Sequence, residues 1–237
     1  METRIFKDND ATASAFAEFL CEKAQNSERL TIALSGGSTP KALFKVLSAE
    51  YQSKIDWQKL HFFWGDERMV PPGHEESNYK MTADLLLSQT PVPVENIYRV
   101  KGENDLDEEV ARYAEVISEN VDHENALPSF DIVMLGMGGD GHTASIFPPD
   151  LHLMTSEGIC AAGTNPESGQ KRVTITGPVI NNARHICFLV TGAGKAEKID
   201  EIFHTTGSFE SYPAAHVKPT HGKLTWFLDE SASVNLK

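Results

Sequence analysis

His142 is the side chain in this sequence best placed to move a proton. It closes the run Asp131-Ile132-Val133-Met134-Leu135-Gly136-Met137-Gly138-Gly139-Asp140-Gly141-His142, in which an apolar stretch passes straight into glycine. An apolar run bounded by glycine reads as a buried strand of a parallel sheet covered on both faces. Ligands of open α/β sheets bind beyond the carboxyl ends of such strands, and glycine lets a substrate come close to the backbone. An imidazole titrates near neutral pH, so one arriving at such a place is suited to proton transfer.

Three further strand ends carry groups of chemical interest. Leu30–Leu34 runs into Ser35-Gly36-Gly37-Ser38-Thr39-Pro40, followed by Leu43, Phe44 and Leu47 at helical spacing. Thr39 is expected at the N-cap and Pro40 at the first helical position. Converging backbone N–H groups, the positive end of the helix dipole and the hydroxyls make this a phosphate-binding turn, although it is not a Walker A loop. Leu60–Trp64 ends on Gly65-Asp66-Glu67-Arg68, a charged run that suggests a site. His185–Val190 ends on Thr191-Gly192-Ala193-Gly194-Lys195, which puts Lys195 in the first turn of the next helix. A cation there opposes the macrodipole; an anion beside it would explain the placement.

These ends need a scaffold, and the rest of the chain supplies one. A first helix capped by Asp10 carries Phe16, Phe19, Leu20 and Ala24 on one face. Ser77 begins a helix through Met81, Leu85 and Leu86, and another shows Leu106, Val110, Tyr113, Ile117 and Val121 in register. Strands are expected near 159–162, 171–176 and 224–228, with a helical turn over 178–182. Trp64 and Trp226 read as core, His61 and His185 as structural, and the Asp105–Glu109 acidic run as a solvated helix start. Strands alternate with helices and no long linker divides the 237 residues. The expected fold is a single α/β domain over 1–237, Rossmann-like, with a largely parallel sheet flanked by helices.

Several function classes are disfavoured. Gly136, Gly138 and Gly141 spell G-x-G-x-x-G, but Phe147-Pro148-Pro149-Asp150 breaks the helix that a dinucleotide fingerprint needs. Glu157 precedes the following strand instead of ending it, so no dinucleotide cofactor is expected. A formal charge of −13 argues against nucleic acid. No apolar run is long enough to span a membrane, and no signal peptide is visible at Met1–Asp8, so the expected compartment is cytoplasmic. Cys21, Cys160 and Cys187 form no C-x-x-C pair and read as reduced core thiols. His216 and His221 flank Pro219 and no H-E-x-x-H occurs, so no metal is expected.

Taken in order, S-G-G-S-T-P, W-G-D-E-R, G-M-G-G-D-G-H-T-A-S-I-F-P, R-V-T-I-T, V-T-G-x-G-K-A and P-A-A-x-V-x-P cover about Leu30 to Asp229. This set resembles the 6-phosphogluconolactonase family, within the larger group that includes glucosamine-6-phosphate deaminase. The resemblance implies cofactor-free hydrolysis of 6-phosphoglucono-δ-lactone in the pentose phosphate pathway, and a functional link to glucose-6-phosphate dehydrogenase. It assigns the sugar phosphate to Ser35, Gly36, Gly37, Ser38 and Thr39 with Arg172 and Lys195, and the general base to His142. Arg68 is then expected at the developing oxyanion, with backbone N–H groups of Gly138 and Gly139 as helpers. Asp66, Glu67 or Asp140 would orient the imidazole, as a triad carboxylate does. The related deaminases carry an aromatic hydroxyl where this chain has Arg68 and a glutamate where it has Phe147; both departures favour lactone hydrolysis. The rival readings are a sugar-phosphate deaminase or isomerase, and a non-catalytic sugar-phosphate-binding module.

Overall fold

The computed structural model describes residues 1–236. In chain order the strands are β1 (Glu2–Phe6), β2 (Leu30–Leu34), β3 (Leu60–Trp64), β4 (Asp66–Arg68), β5 (Ile97–Tyr98), β6 (His123–Glu124), β7 (Leu127–Pro128), β8 (Ile132–Leu135), β9 (Cys160–Thr164), β10 (Lys171–Ile175), β11 (His185–Val190) and β12 (Lys223–Asp229). The helices are α1 (Asn9–Gln25), α2 (Ser38–Glu50), α3 (Asn78–Leu85), α4 (Leu106–Asn120), α5 (Gly177–Asn181) and α6 (Ala196–His204).

Seven strands form one wholly parallel sheet in the order β1-β12-β11-β8-β2-β3-β5. Its central strands are apolar on both sides because both faces are covered. Ile32, Leu34, Phe62, Trp64, Ile132 and Met134 pack with α1 and α2, while Ala33, Phe63, Val133, Leu135 and Phe188 pack with α4, α5 and α6. β2 and β8 lie side by side. From β2 the chain proceeds to β3, and from β8 to β11, on the opposite side. Their outgoing loops therefore diverge and leave a crevice at the carboxyl ends, the switch point where open α/β sheets bind ligands.

The structure departs from the sequence reading in a few places. The strands near 159–162 and 171–176 are not in the parallel sheet. As β9 and β10 they join β4 in a separate antiparallel sheet, ordered β4-β10-β9. The cause is the short connection from Thr164 to Lys171, which suits a hairpin and is too short for a parallel crossover. β1 is an edge strand whose mostly exposed residues gave no burial pattern. The α1 cap is Asp8, whose Oδ1 accepts the Ala11 N–H at 2.9 Å, with Asp10 in the first turn. Asp8, Asn9 and Asp10 are all capping types, so composition alone could not choose. Glu109 is fully buried, accepting from the Lys101 N–H, Asn104 and Arg112 instead of facing water. The three cysteines are buried free thiols. No described helix is long and apolar enough to cross a membrane.

Candidate active site

A cleft of about 250 Å³ opens at this switch point. Ser35 to Pro40, Asp66, Arg68, Asn78, Gly136 to Gly138, His142, Ala144, Arg172 and Lys195 line it. Loops that are distant in sequence meet there because the strands they follow are neighbours.

The β8 loop makes the imidazole end. No helix starts directly after β8, the next being a 3-10 helix over Pro148–Met154; Gly141 turns the chain at φ +82° and Ala144 takes a left-handed φ of +48°. A dinucleotide fold would need a helix N-terminus here, and the chain instead folds back on itself. The Gly138 N–H donates to the His142 carbonyl at 2.9 Å, closing the loop. Gly138 must lack a side chain: a Cβ there would stand 2.1 Å from His142 Nδ1. The Asp140 carboxylate holds that nitrogen at 2.6 Å and also accepts the His142 backbone N–H at 3.1 Å. With Nδ1 committed, Nε2 is the ring nitrogen with no hydrogen-bond partner among the described residues. Burial works to raise the Asp140 carboxyl, but the hydrogen bond and charge of His142 outweigh it and hold it below the usual aspartate value. The Phe147 ring packs 4.5 Å from the imidazole.

Among the three acids that could orient the imidazole, geometry separates one from two. Asp140 is on the ring. Asp66 lines the cleft but accepts from Ser145 Oγ at 2.6 Å. Glu67 is buried and does not line the cleft. One of its oxygens accepts the N–H groups of Arg68 and Asn78 at 2.7 and 2.8 Å; the other accepts Ser77 Oγ and the Tyr79 N–H at 3.0 and 2.7 Å. The glycine N–H groups also differ from expectation as oxyanion donors. That of Gly138 is used by the loop, and Gly139 is exposed, outside the cleft lining.

The phosphate-type turn is present with a different cap. Gly37, at φ +112°, occupies the N-cap of α2, so Ser38 is its first residue. The φ excludes Thr or Ser at the cap, which the composition of the turn could not reveal. Thr39 instead bonds across to Thr191 at the end of β11, Oγ1 to Oγ1 2.8 Å. This joins the α2 N-terminus to the segment that carries Lys195. Burial lowers the Lys195 pKa, partly offset by the charge of Asp140. Among the described residues no carboxylate lies within ion-pair distance of its ammonium.

Arg68 and Arg172 make a second cationic group. They are register partners across β4 and β10. Arg68 Nη1 donates to the Glu76 carbonyl at 2.7 Å, and Arg172 Nη1 lies 4.0 Å from Asp66 Oδ2. The Nε of each is buried with no partner among the described residues. Burial, and then repulsion from Arg68, lowers the Arg172 pKa. Two guanidiniums held side by side with unspent donors have the chemistry to take an anion.

The sequence reading gave several lining residues no role, Asn78 and Ala144 among them. Asn78 is one residue past a recognisable Ser77 cap, and Ala144, though inside the G-M-G-G-D-G-H-T-A-S-I-F-P motif, has no functional side chain. No cluster of three or more metal-ligating side chains occurs among the described residues.

The model of the glucosamine-6-phosphate isomerase/6-phosphogluconolactonase family matches residues 7–226. The 6-phosphogluconolactonase of Haemophilus influenzae is 43% identical over 210 residues, covering 88% of each chain. That of Treponema pallidum is 40% identical over 202 residues, covering 85% of this chain and 84% of its own. The structure of 6-phosphogluconolactonase from Trypanosoma brucei superposes with a TM-score of 0.88 at 28% identity, over 100% of this chain and 98% of its own. A monomeric glucosamine-6-phosphate deaminase superposes with a TM-score of 0.83 at 19% identity over 99% and 100%, a likeness of fold alone.

Proposed function

The chain belongs to the glucosamine-6-phosphate isomerase/6-phosphogluconolactonase family, and on that premise we propose that its cleft hydrolyses 6-phospho-D-glucono-1,5-lactone to 6-phospho-D-gluconate. One observation carries the reading. An imidazole oriented by a carboxylate shares a single small cleft with the α2 N-terminus and three cationic side chains.

The division of labour follows from chemistry. The substrate phosphate binds at the Ser35–Thr39 turn, with Lys195 and Arg172 as counter-charges. Arg supplies a forked pair of donors and Lys a mobile point charge. The charge of a bound phosphate would also offset the burial that disfavours the charged form of both. A lactone is an ester, so its hydrolysis needs proton removal from water and shelter for the oxyanion. His142 Nε2 takes a proton as the water oxygen bonds to C1, and Arg68 faces the negative charge that gathers on the carbonyl oxygen. The tetrahedral intermediate collapses by breaking the bond from C1 to the ring oxygen. The imidazolium then returns its proton to that oxygen, giving the open-chain acid. Throughout, Asp140 holds the Nδ1–H and stabilises the imidazolium.

The deaminase reading needs a further acid/base group to open the ring and shuttle a proton between C1 and C2. Phe147 packs on the imidazole with nothing to exchange. On the lactonase reading the enzyme works in the cytoplasm on lactone supplied by glucose-6-phosphate dehydrogenase.

The test is lactone consumption by purified, chelator-treated protein, corrected for spontaneous hydrolysis, with glucosamine 6-phosphate run in parallel. Rapid lactone loss without ammonia release is expected. Ammonia release with no lactone turnover would move the chain to the deaminases.

A further inference from the structure

Neither carboxylate of the W-G-D-E-R stretch enters the proposed reaction, and Glu67 is nearly inaccessible, at 2% exposure. Its two oxygens collect three backbone N–H groups and one hydroxyl. One of those N–H groups belongs to Arg68, on one wall of the cleft. The others belong to Asn78 and Tyr79, in the first turn of α3. Burial pushes the Glu67 carboxyl up, opposed by the N–H groups of Tyr79, Asn78 and Arg68. Such a set of donors favours an ionised acceptor.

Asn78 carries the connection onward. It is 4% exposed, lines the cleft, and its Nδ2 donates to the Asp66 carbonyl at 3.0 Å. Its amide lies hard against Gly36: a Cβ on Gly36 would stand 1.9 Å from Asn78 Oδ1 and 2.6 Å from its Cγ. Gly36 has an ordinary φ, since it is absent from the positive-φ glycines. Its lack of a side chain is therefore required by Asn78, not by the backbone.

We propose that Glu67 and Asn78 form a buried brace between β4 and the Ser35–Thr39 turn, fixing the separation of Arg68 from the turn that receives the phosphate. Both are positioning residues: Glu67 does not line the cleft and acts through the backbone of Arg68 and Asn78, and Asn78 acts through Gly36. The brace rests on the phosphate assignment of that turn. It adds the reason why an acid, an asparagine and a glycine far apart in sequence must occur together.

A bump-and-hole cycle tests it. Gly36→Ala should force Asn78 aside, raising KM for the lactone about 10-fold or more while kcat changes less. Adding Asn78→Ala makes room for the new methyl and should return KM to within about 3-fold of the Asn78→Ala single variant. Glu67→Gln turns an amide donor toward N–H donors. If folded by its melting curve, it should raise KM and lower kcat together. Inorganic phosphate supplies a readout independent of turnover. It should raise the melting temperature of the wild type and of the double variant, but not of Gly36→Ala. If the wild type responds to phosphate yet hydrolyses no lactone, the reaction assignment fails and the brace is still measured. The brace is overturned if the double variant is as impaired as Gly36→Ala. It is equally overturned if folded Glu67→Gln keeps wild-type KM, kcat and phosphate response.

Discussion

The loop after β8 and the segment after β3 both place acidic residues and a cationic or titratable group just past a buried strand, and they do opposite things. In the β8 loop, Asp140 makes two contacts, both to His142, and remains part-exposed. In the β4 segment, Glu67 meets four donors and is sealed from solvent. A carboxylate with one partner at the cleft can serve that partner's chemistry. One that satisfies four donors is committed to holding backbone in place. Burial and donor count, not residue type, separate the two.

The comparison can be broken from either side. The largest effect is expected on the β8 side. Asp140→Asn should lower kcat at least about 10²-fold and leave the melting temperature nearly unchanged, by calorimetry on the same sample. On the β4 side the signs reverse. Glu67→Ala strands one buried and two part-buried N–H groups and should cost on the order of 3 kcal/mol. That corresponds to roughly 6–12 °C in melting temperature for a chain of this size. Equal thermal losses in the two variants would erase the distinction.

The legible and illegible parts of the molecule divide along the same line. Strand ends could be read from the sequence because apolar runs meeting glycine leave few alternatives, and β2, β3, β8 and β11 lie where that pattern puts them. Their adjacency is tertiary, and so was the choice among Asp66, Glu67 and Asp140: each follows a strand, and only packing shows which one reaches the imidazole. The α2 cap was misread because Ser38 and Thr39 have the better capping side chains, whereas the turn selects Gly37 for its positive φ. The antiparallel sheet was hidden because β9 and β10 look, one at a time, like any other short strand. Asn78 carried no signal, since its role depends on a glycine that approaches only in the folded chain.

Two smaller effects sharpen the electrostatic side. Lys195→Met should raise KM about 10–100-fold, the loss of one charged hydrogen bond, with kcat within a few-fold. Burial depresses the Lys195 pKa, so its ammonium opposes folding while charged. That opposition is present below the folded pKa and disappears as pH rises past the unfolded value near about 10.4. The variant should therefore melt no lower than wild type at pH 7, and any advantage should shrink toward pH 10. The smallest effect belongs to Asp140. Its folded pKa lies below the usual aspartate value, so its stabilisation is present above about pH 4 and fades as pH falls through the lower folded value. Melting curves of wild type and Asp140→Asn should converge on acidification; a gap that widens would contradict the assignment.

The most direct test is the single-turnover rate of lactone opening by His142→Gln at saturating substrate, after subtraction of spontaneous hydrolysis. A fall of about 10²–10⁴-fold with unchanged affinity for 6-phosphogluconate is expected for loss of a general base. A rate within a few-fold of wild type would mean that another group takes the proton from water.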